Sequence, residues 1–374
     1  MQATKTESGI DVSSKKLDVA RRRGGMLSEK QFWNDPEGHR ALAKWLGKGA
    51  RVCLEATGVY HLQVALALVA AGVQVMVINP RVAKDYGRSL SKRSKTDKVD
   101  ALTLLHYLEH REFVEWTPPP GEVLELREVG RRIVELVKIG TEEKNRLHAK
   151  NVSKINRFVE ADTEAHIRQI EKRIQTLEAH AVKMIRSDED LNGLFNLLEQ
   201  TRGLGVRSSI QMLSELAVLD QSMSLKQIVA YAGLDPRHHQ SGTIERPTRI
   251  SKVGNPRLRA ILYMMAMTAI RHEPGAKAFY TRLVSRGKEP MVARVAVMRK
   301  LLHGIWIVLQ RRVAFDYDHL FASSLAATES HSVADATEPE ASQDHPKGRS
   351  AAKELRKQLE PGSPEATQRK RKIA

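Results

Sequence analysis

The sequence predicts a layered α/β N-terminal part, a helical remainder and a polar tail. Three observations predict it. Strand-like and helix-like patterns alternate up to residue 115, Thr117-Pro118-Pro119-Pro120-Gly121 interrupts them, and no aromatic residue follows Ser323. Alternating elements argue for a sheet with helices on its faces.

Gly9-Ile10-Asp11-Val12 reads as the core of a short strand, since the polar run Lys5-Thr6-Glu7-Ser8 precedes it. Lys16-Leu17-Asp18-Val19-Ala20 follows after Ser13-Ser14-Lys15, with Asp18 expected at the surface or in a structural role. A helical pattern from Pro36 to Leu46, carried by Leu42, Trp45 and Leu46, leads to the strand Arg51-Val52-Cys53-Leu54-Glu55. A helix through Val64-Ala65-Leu66-Ala67-Leu68 and the apolar strand Val73-Gln74-Val75-Met76-Val77-Ile78 come next. A basic loop over residues 89–95 precedes a helix opening at Thr96-Asp97.

Beyond the proline break the pattern is helical. Ile167, Ile170, Ile174, Leu177, Ala181 and Met184 recur at alternating three- and four-residue steps, the seam of a coiled coil. Leu126, Val129, Ile133 and Leu136 keep the same rhythm upstream. We expect the seam to join protomers; a helical hairpin packed within one chain is the alternative. Residues 191–315 read as helices, punctuated at Gly203-Leu204-Gly205 and around Gly242 and Gly254. The tail from Ser323 is poor in apolar groups and is expected to be disordered. The expected units are therefore 1–115, 116–190, 191–322 and 323–374.

Lys and Arg number 61 against 44 Asp and Glu, a formal net charge of +17. Residues 241–314 hold fifteen Lys or Arg against Glu245, Glu273 and Glu289. Such a surplus points to a polyanion, and nucleic acid leads over an anionic membrane surface. No apolar run approaches the roughly 20 residues that span a bilayer, and the first residues lack the apolar stretch of a signal peptide. Cys53 is the sole cysteine, which excludes intramolecular disulfides and cysteine metal clusters and fits a reducing compartment.

Two constellations carry chemistry. Asp11 and Glu55 lie in strand contexts, and Asp97 and Asp100 are spaced to share one helical face. Carboxylates among apolar strand residues need a positive partner. Mg²⁺ (or Mn²⁺) suits an all-oxygen ligand set, and paired ions of this kind serve phosphodiester chemistry. Singly, each acid has a plainer reading, such as Asp97 at a helix N-terminus.

The second constellation is Ser241 beside Gly242, an exposed hydroxyl with room for a phosphate. Arg246, Arg249, Lys252, Arg257 and Arg259 follow, able to hold a phosphate and stabilise developing charge. Taken locally, Ser-Gly is more often a plain turn, and Ser251 reads as a helix cap or turn residue. His238 and His239 are read as polar surface or phosphate contacts rather than proton carriers. Thr201-Arg202-Gly203-Leu204-Gly205-Val206 resembles the turn of a helix-hairpin-helix element, where the backbone N–H groups of Gly203 and Gly205 would face DNA phosphate.

Over residues 9–315 these motifs resemble the DEDD-type insertion-sequence transposases, the "one-ten" family of bridge-RNA-guided recombinases. The resemblance rests on Gly-Ile-Asp-Val-Ser-Ser-Lys-Lys-Leu-Asp-Val, Glu-Ala-Thr-Gly-Val-Tyr, Val-Ile-Asn-Pro, Lys-Thr-Asp-Lys-Val-Asp-Ala, Ala-Gly-Leu-Asp-Pro, Gln-Ser-Gly and Ser-Lys-Val-Gly-Asn. It implies a RuvC-like, RNase H-type N-terminal domain, a coiled-coil segment and a mainly α transposase domain. Asp11, Glu55, Asp97 and Asp100 would then be metal ligands and Ser241 the serine that becomes covalently joined to DNA. It further implies donor and target DNA, a noncoding bridge RNA, a homo-oligomer (dimer or tetramer), no membrane, and a bacterial cytoplasmic setting with nucleoid association on DNA. Two rival readings are a Holliday-junction resolvase that uses water as nucleophile and an inactive basic nucleic-acid-binding protein.

Overall fold

The computed structural model describes residues 6–56, 58, 60–90, 97–153, 157–241 and 244–322, and of Asp97, Ser241 and Arg246 the backbone alone. The tail from Ser323 lies outside the described residues.

Five strands form one sheet in the order β3-β2-β1-β4-β5: β1 (Thr6–Val12), β2 (Lys16–Arg23), β3 (Met26–Trp33), β4 (Arg51–Glu55) and β5 (Gln74–Ile78). The pairs β1–β2 and β2–β3 are antiparallel, and β1–β4 and β4–β5 are parallel. Strand β1 starts earlier than its polar lead predicts. Ser8 is fully buried there, and its hydroxyl donates to the Ala20 carbonyl at 2.9 Å. A polar residue enters the sheet interior when its hydroxyl finds a partner.

Side chains alternate across the sheet with period two. Ile10, Val12, Leu17, Val19, Val52, Leu54 and Val75 share one core with α1 (Pro36–Leu46) and α2 (Tyr60–Ala70). Asp35 caps α1 by accepting from the Gly38 N–H at 2.7 Å, with Pro36 at the first helical position. The other face receives α3 (Pro80–Ser89) and α4 (Asp97–His110), around Cys53, Met76, Ile78 and Leu104 and around Ala20, Ala101 and Leu105. The Val-Ile-Asn-Pro motif has a local cause: Asn79 caps α3 by accepting from the Arg81 N–H at 2.8 Å, and Pro80 opens the helix.

After the proline break, α5 (Gly121–Ser153) and α6 (Arg157–Ser187) form a long antiparallel pair. The expected intermolecular seam is filled inside the chain. Ile170, Ile174, Ala181 and Ile185 pack with Val123, Leu126, Ile133 and Leu136, and Ile167 is also buried. The hairpin is therefore the arrangement adopted, because α5 carries an apolar stripe of matching period. It shares one core with α7 (Glu189–Glu199), α8 (Val206–Leu216), α9 (Leu225–Tyr231), α10 (Pro256–His272), α11 (Pro274–Ser285) and α12 (Pro290–Arg311).

The C-terminal region is not wholly helical as expected: β6 (Pro236–Ser241) and β7 (Ile244–Ile250) form a two-stranded ribbon. Its strands are polar and carry no apolar alternation for a sequence pattern to detect. Strand β3 escaped prediction for the same reason, since Phe32 alone among its residues is buried.

Placing a charge in the hairpin seam tests the packing. Ile174→Glu buries a carboxylate and should cost on the order of 3 kcal/mol, lowering the melting temperature and the helical circular dichroism signal. A folded variant of unchanged melting temperature and reduced mass by light scattering would return the seam to a protomer interface.

Candidate active site

Strand register brings the N-terminal acids to one face. Gly9 pairs with Cys53 on β4 and with Ala20 on β2. Paired residues point to the same side, so Asp11 and Glu55, each two residues further along, share the face covered by α4. Both are half-buried, at the C-terminal ends of adjacent parallel strands. Asp97 opens α4, and half-buried Asp100 lies one turn on. The helix can approach because Gly9 has no side chain: a Cβ there would sit 2.1 Å from the Ala101 carbonyl oxygen and 2.3 Å from the Leu105 nitrogen.

Among the described residues no three His, Cys, Asp or Glu side chains form a metal-binding group. The donor set on this face nevertheless suits a hard divalent ion, since all of its donors are carboxylate oxygens. Burial pushes the Cys53 thiol up to about 12, which excludes it as a nucleophile or thiolate ligand at neutral pH.

Asp18 was expected at the surface or in a structural role. It is 8% exposed, faces Asp11 in the β1–β2 register and accepts from Gln31 Nε2 at 3.0 Å. Its place is interior, which fits the structural reading and not the surface one. The available signal was its period-two relation to Ala20 on the helix-covered face.

Ser241 ends β6, paired with Ile244, at the tip of the ribbon rather than in a free loop. His239 is paired with Arg246, and Arg237 with Arg249, an exposed residue. The ribbon is clamped at its root. Ser251 N–H donates to the Asp235 carbonyl at 2.8 Å, and the Ser251 hydroxyl donates to the Asp235 carboxylate. Ser251 is thus a turn-fixing residue, its oxygen also accepting from the Val253 N–H at 3.2 Å.

Exposed Lys252 follows in the left-handed region at φ 53. Gly254 is required by close approach, since a Cβ there would lie 2.3 Å from the Tyr231 carbonyl oxygen. Asn255 then caps α10 by accepting from the N–H groups of Arg257 and Leu258 at 3.0 and 3.2 Å. The basic residues divide in role. Arg259 is engaged internally, donating to the Ala232 carbonyl at 2.9 Å. Arg257 lies 3.9 Å from the buried Glu215.

At the helix-hairpin-helix-like turn, Gly203 has φ 87, and Gly205 precedes α8 with no side-chain cap. The two constellations lie in separate bodies of the chain. An open cleft of about 960 Å³ is lined by Ala56, which follows Glu55 in the chain, and the start of α3 on one side and by the ribbon root on the other.

Comparison with known proteins defines the class. A DEDD transposase model named for IS110 matches residues 8–150, and the model of the IS116/IS110/IS902 transposase family matches residues 195–281. The chain is 27% identical over 321 residues to the pilin gene-inverting protein of Moraxella bovis, covering 84% of this chain and 98% of that one. It is 28% identical over 116 residues to the transposase for insertion sequence element IS1111A of Coxiella burnetii, covering 30% and 32%. Among solved structures, RuvC of T. thermophilus in complex with a Holliday junction substrate matches 30% of this chain and 99% of its own, at 16% identity and TM-score 0.23. The chain is a DNA transposase/recombinase enzyme. It belongs to the IS110 family of insertion-sequence transposases. Among the described residues no helix is long and apolar enough to cross a membrane.

Gly9→Ala tests how the acidic face is assembled. The added methyl meets α4 backbone, so the variant should lose about 1–3 kcal/mol and show a lower melting temperature in calorimetry, together with weaker DNA strand cleavage. A wild-type melting temperature would show that α4 does not seat on β1 at this point.

Proposed function

We propose that the protein cleaves and exchanges DNA strands by a divalent-metal-dependent reaction in which Ser241 becomes covalently attached to the DNA. The observation that carries this reading is the register that aligns Asp11 and Glu55 at neighbouring strand ends beneath the start of α4. Asp11, Glu55, Asp97 and Asp100 would hold Mg²⁺ or Mn²⁺. Such an ion, when bound, supplies positive charge at the scissile phosphate and at the departing oxygen.

The chain's own residues then have distinct tasks. The Ser241 oxygen forms a bond to phosphorus as the phosphorus–oxygen bond to the neighbouring nucleotide breaks. The serine proton is released and the departing sugar oxygen takes one up. A hydroxyl is a weak nucleophile without help in losing that proton, so the acidic face and the serine ribbon must act on one phosphate. Arg246, Arg249, Lys252 and Arg257 hold the neighbouring backbone by charge. Gly203 and Gly205 offer main-chain N–H groups to a further phosphate. Asp235 and Ser251 position the ribbon.

The units 1–115, 116–190 and 191–322 are proposed as catalytic, connecting and serine-bearing, with the enzyme working as a homo-oligomer on donor and target DNA under a bridge RNA. The similarity to a pilin gene-inverting protein supports recombination as the outcome.

Removing one charged oxygen ligand at a time tests the acidic face. Asp11→Asn, Glu55→Gln, Asp97→Asn and Asp100→Asn should each reduce strand cleavage at least about a hundredfold, a loss of roughly 2.7 kcal/mol in barrier terms, with melting temperatures near wild type. EDTA should do the same to the unaltered protein. Full cleavage in EDTA, or by Asp11→Asn, would refute the metal role.

A further inference from the structure

The cleft between the sheet body and the ribbon root holds charge that, Arg257 aside, the reaction above does not use. Behind its lining residues Arg131, Asn255 and Arg257 lies their shared partner Glu215 of α8, 2% exposed. Arg131 binds it with two nitrogens, at 3.0 and 3.2 Å, and Asn255 Nδ2 donates to it at 2.7 Å. Arg127 and Arg257 each approach the same carboxylate at 3.9 Å. One negative charge therefore organises three guanidiniums and neutralises one of them. The buried Arg127 Nε has no hydrogen-bond partner among the described residues. Arg81, at the start of α3, and exposed Arg237, on β6, add charge from opposite walls. The acid lining the cleft is Asp235, whose carboxylate accepts from Ser251.

A preset, partly desolvated guanidinium cluster with surplus positive charge matches the planar, multidentate geometry of a phosphodiester. We infer that this cleft seats the sugar-phosphate backbone of a DNA strand, gripped by Arg131 and Arg257 at the floor and by Arg81 and Arg237 at the walls. Glu215 is a positioning residue that aims the floor arginines. The wall from α3 adjoins Ala56, which follows Glu55, and the opposite wall is the root of the Ser241 ribbon. A strand in the cleft would thus run between the acidic face and the serine. This rests on the DNA-recombinase reading and adds the backbone contact that spans its two parts.

Arg131 and Arg257 pair with a buried carboxylate, so their removal would confound binding with folding. The test uses Arg81→Gln combined with Arg237→Gln in the full chain. Fluorescence anisotropy with a labelled DNA oligonucleotide, in EDTA so that no strand is cut, gives affinity across a salt series. The double variant should bind about tenfold more weakly, and its slope of log affinity against log salt should fall by roughly one to two, one phosphate per lost cation. A control with Arg40→Gln and Lys44→Gln, on the far face of the sheet, should keep the wild-type slope. An unchanged slope in the cleft variant, an equal loss in the control, or a loss confined to RNA of the same sequence would each overturn the inference. Because binding is read without metal, failure here leaves the cleavage results standing, and failure of the acid variants leaves this measurement standing.

Discussion

The C-terminal body is organised around one buried charge. Glu215 lies on α8 amid the apolar residues Met212, Leu213 and Leu216, and it is held by arginines from α5 and α10 and by the residue that caps α10. An unpaired carboxylate at this depth would cost several kcal/mol, on the order of 3–5 when one partner of a buried pair is removed. The fold therefore keeps α5, α8 and α10 in the arrangement that supplies its partners. Tyr231 of α9 joins the same network, its hydroxyl 3.2 Å from Asn255 Nδ2 and its carbonyl accepting the Asn255 N–H at 2.7 Å. Burial presses the Arg127 guanidinium below its ordinary range, while Tyr231 and Glu215 work to keep it charged.

What this network fixes is the root of the serine ribbon. Gly233, Lys252 and Gly254 adopt backbone angles that bring β6 and β7 back to the start of α10, and the Asp235–Ser251 clamp closes the loop. The sheet body solves a parallel problem by different means. There the constraint is steric: Gly9 admits the backbone of α4, and strand register carries Asp11 and Glu55 to the same side. One half of the enzyme is aligned by a buried ion network and the other by close packing.

Much of the first half was legible in the sequence because its signals are local. The Leu42, Trp45 and Leu46 spacing after Pro36 located α1, and the apolar run before Glu55 located β4. The extent of β1 was hidden, since nothing near Ser8 announces the carbonyl of Ala20, twelve residues on, as its partner. The ribbon holding Ser241 was hidden by its polarity. The apolar stripe on α6 was legible and was expected to join protomers, but periodicity states only that a stripe must be covered; the matching stripe on α5 covers it. Glu215 was legible in principle as an acid on an apolar helical face, yet its four polar partners are scattered from Arg127 to Arg257. Asp11, Glu55, Asp97 and Asp100 could be singled out, whereas the burial of Asp18 opposite Asp11 emerges only from strand pairing.

The central claim is that an acidic face in one body and a serine in the other act on a single phosphate. Mass-spectrometric mapping of the protein–DNA linkage tests it most directly, with the enzyme trapped on its substrate with Mg²⁺ and guide RNA and then digested. The account predicts one nucleotide-bearing peptide, modified at Ser241, and no such peptide from Asp11→Asn protein. A linkage at Ser251, or strand cleavage with no linked peptide as a water nucleophile would produce, would contradict it.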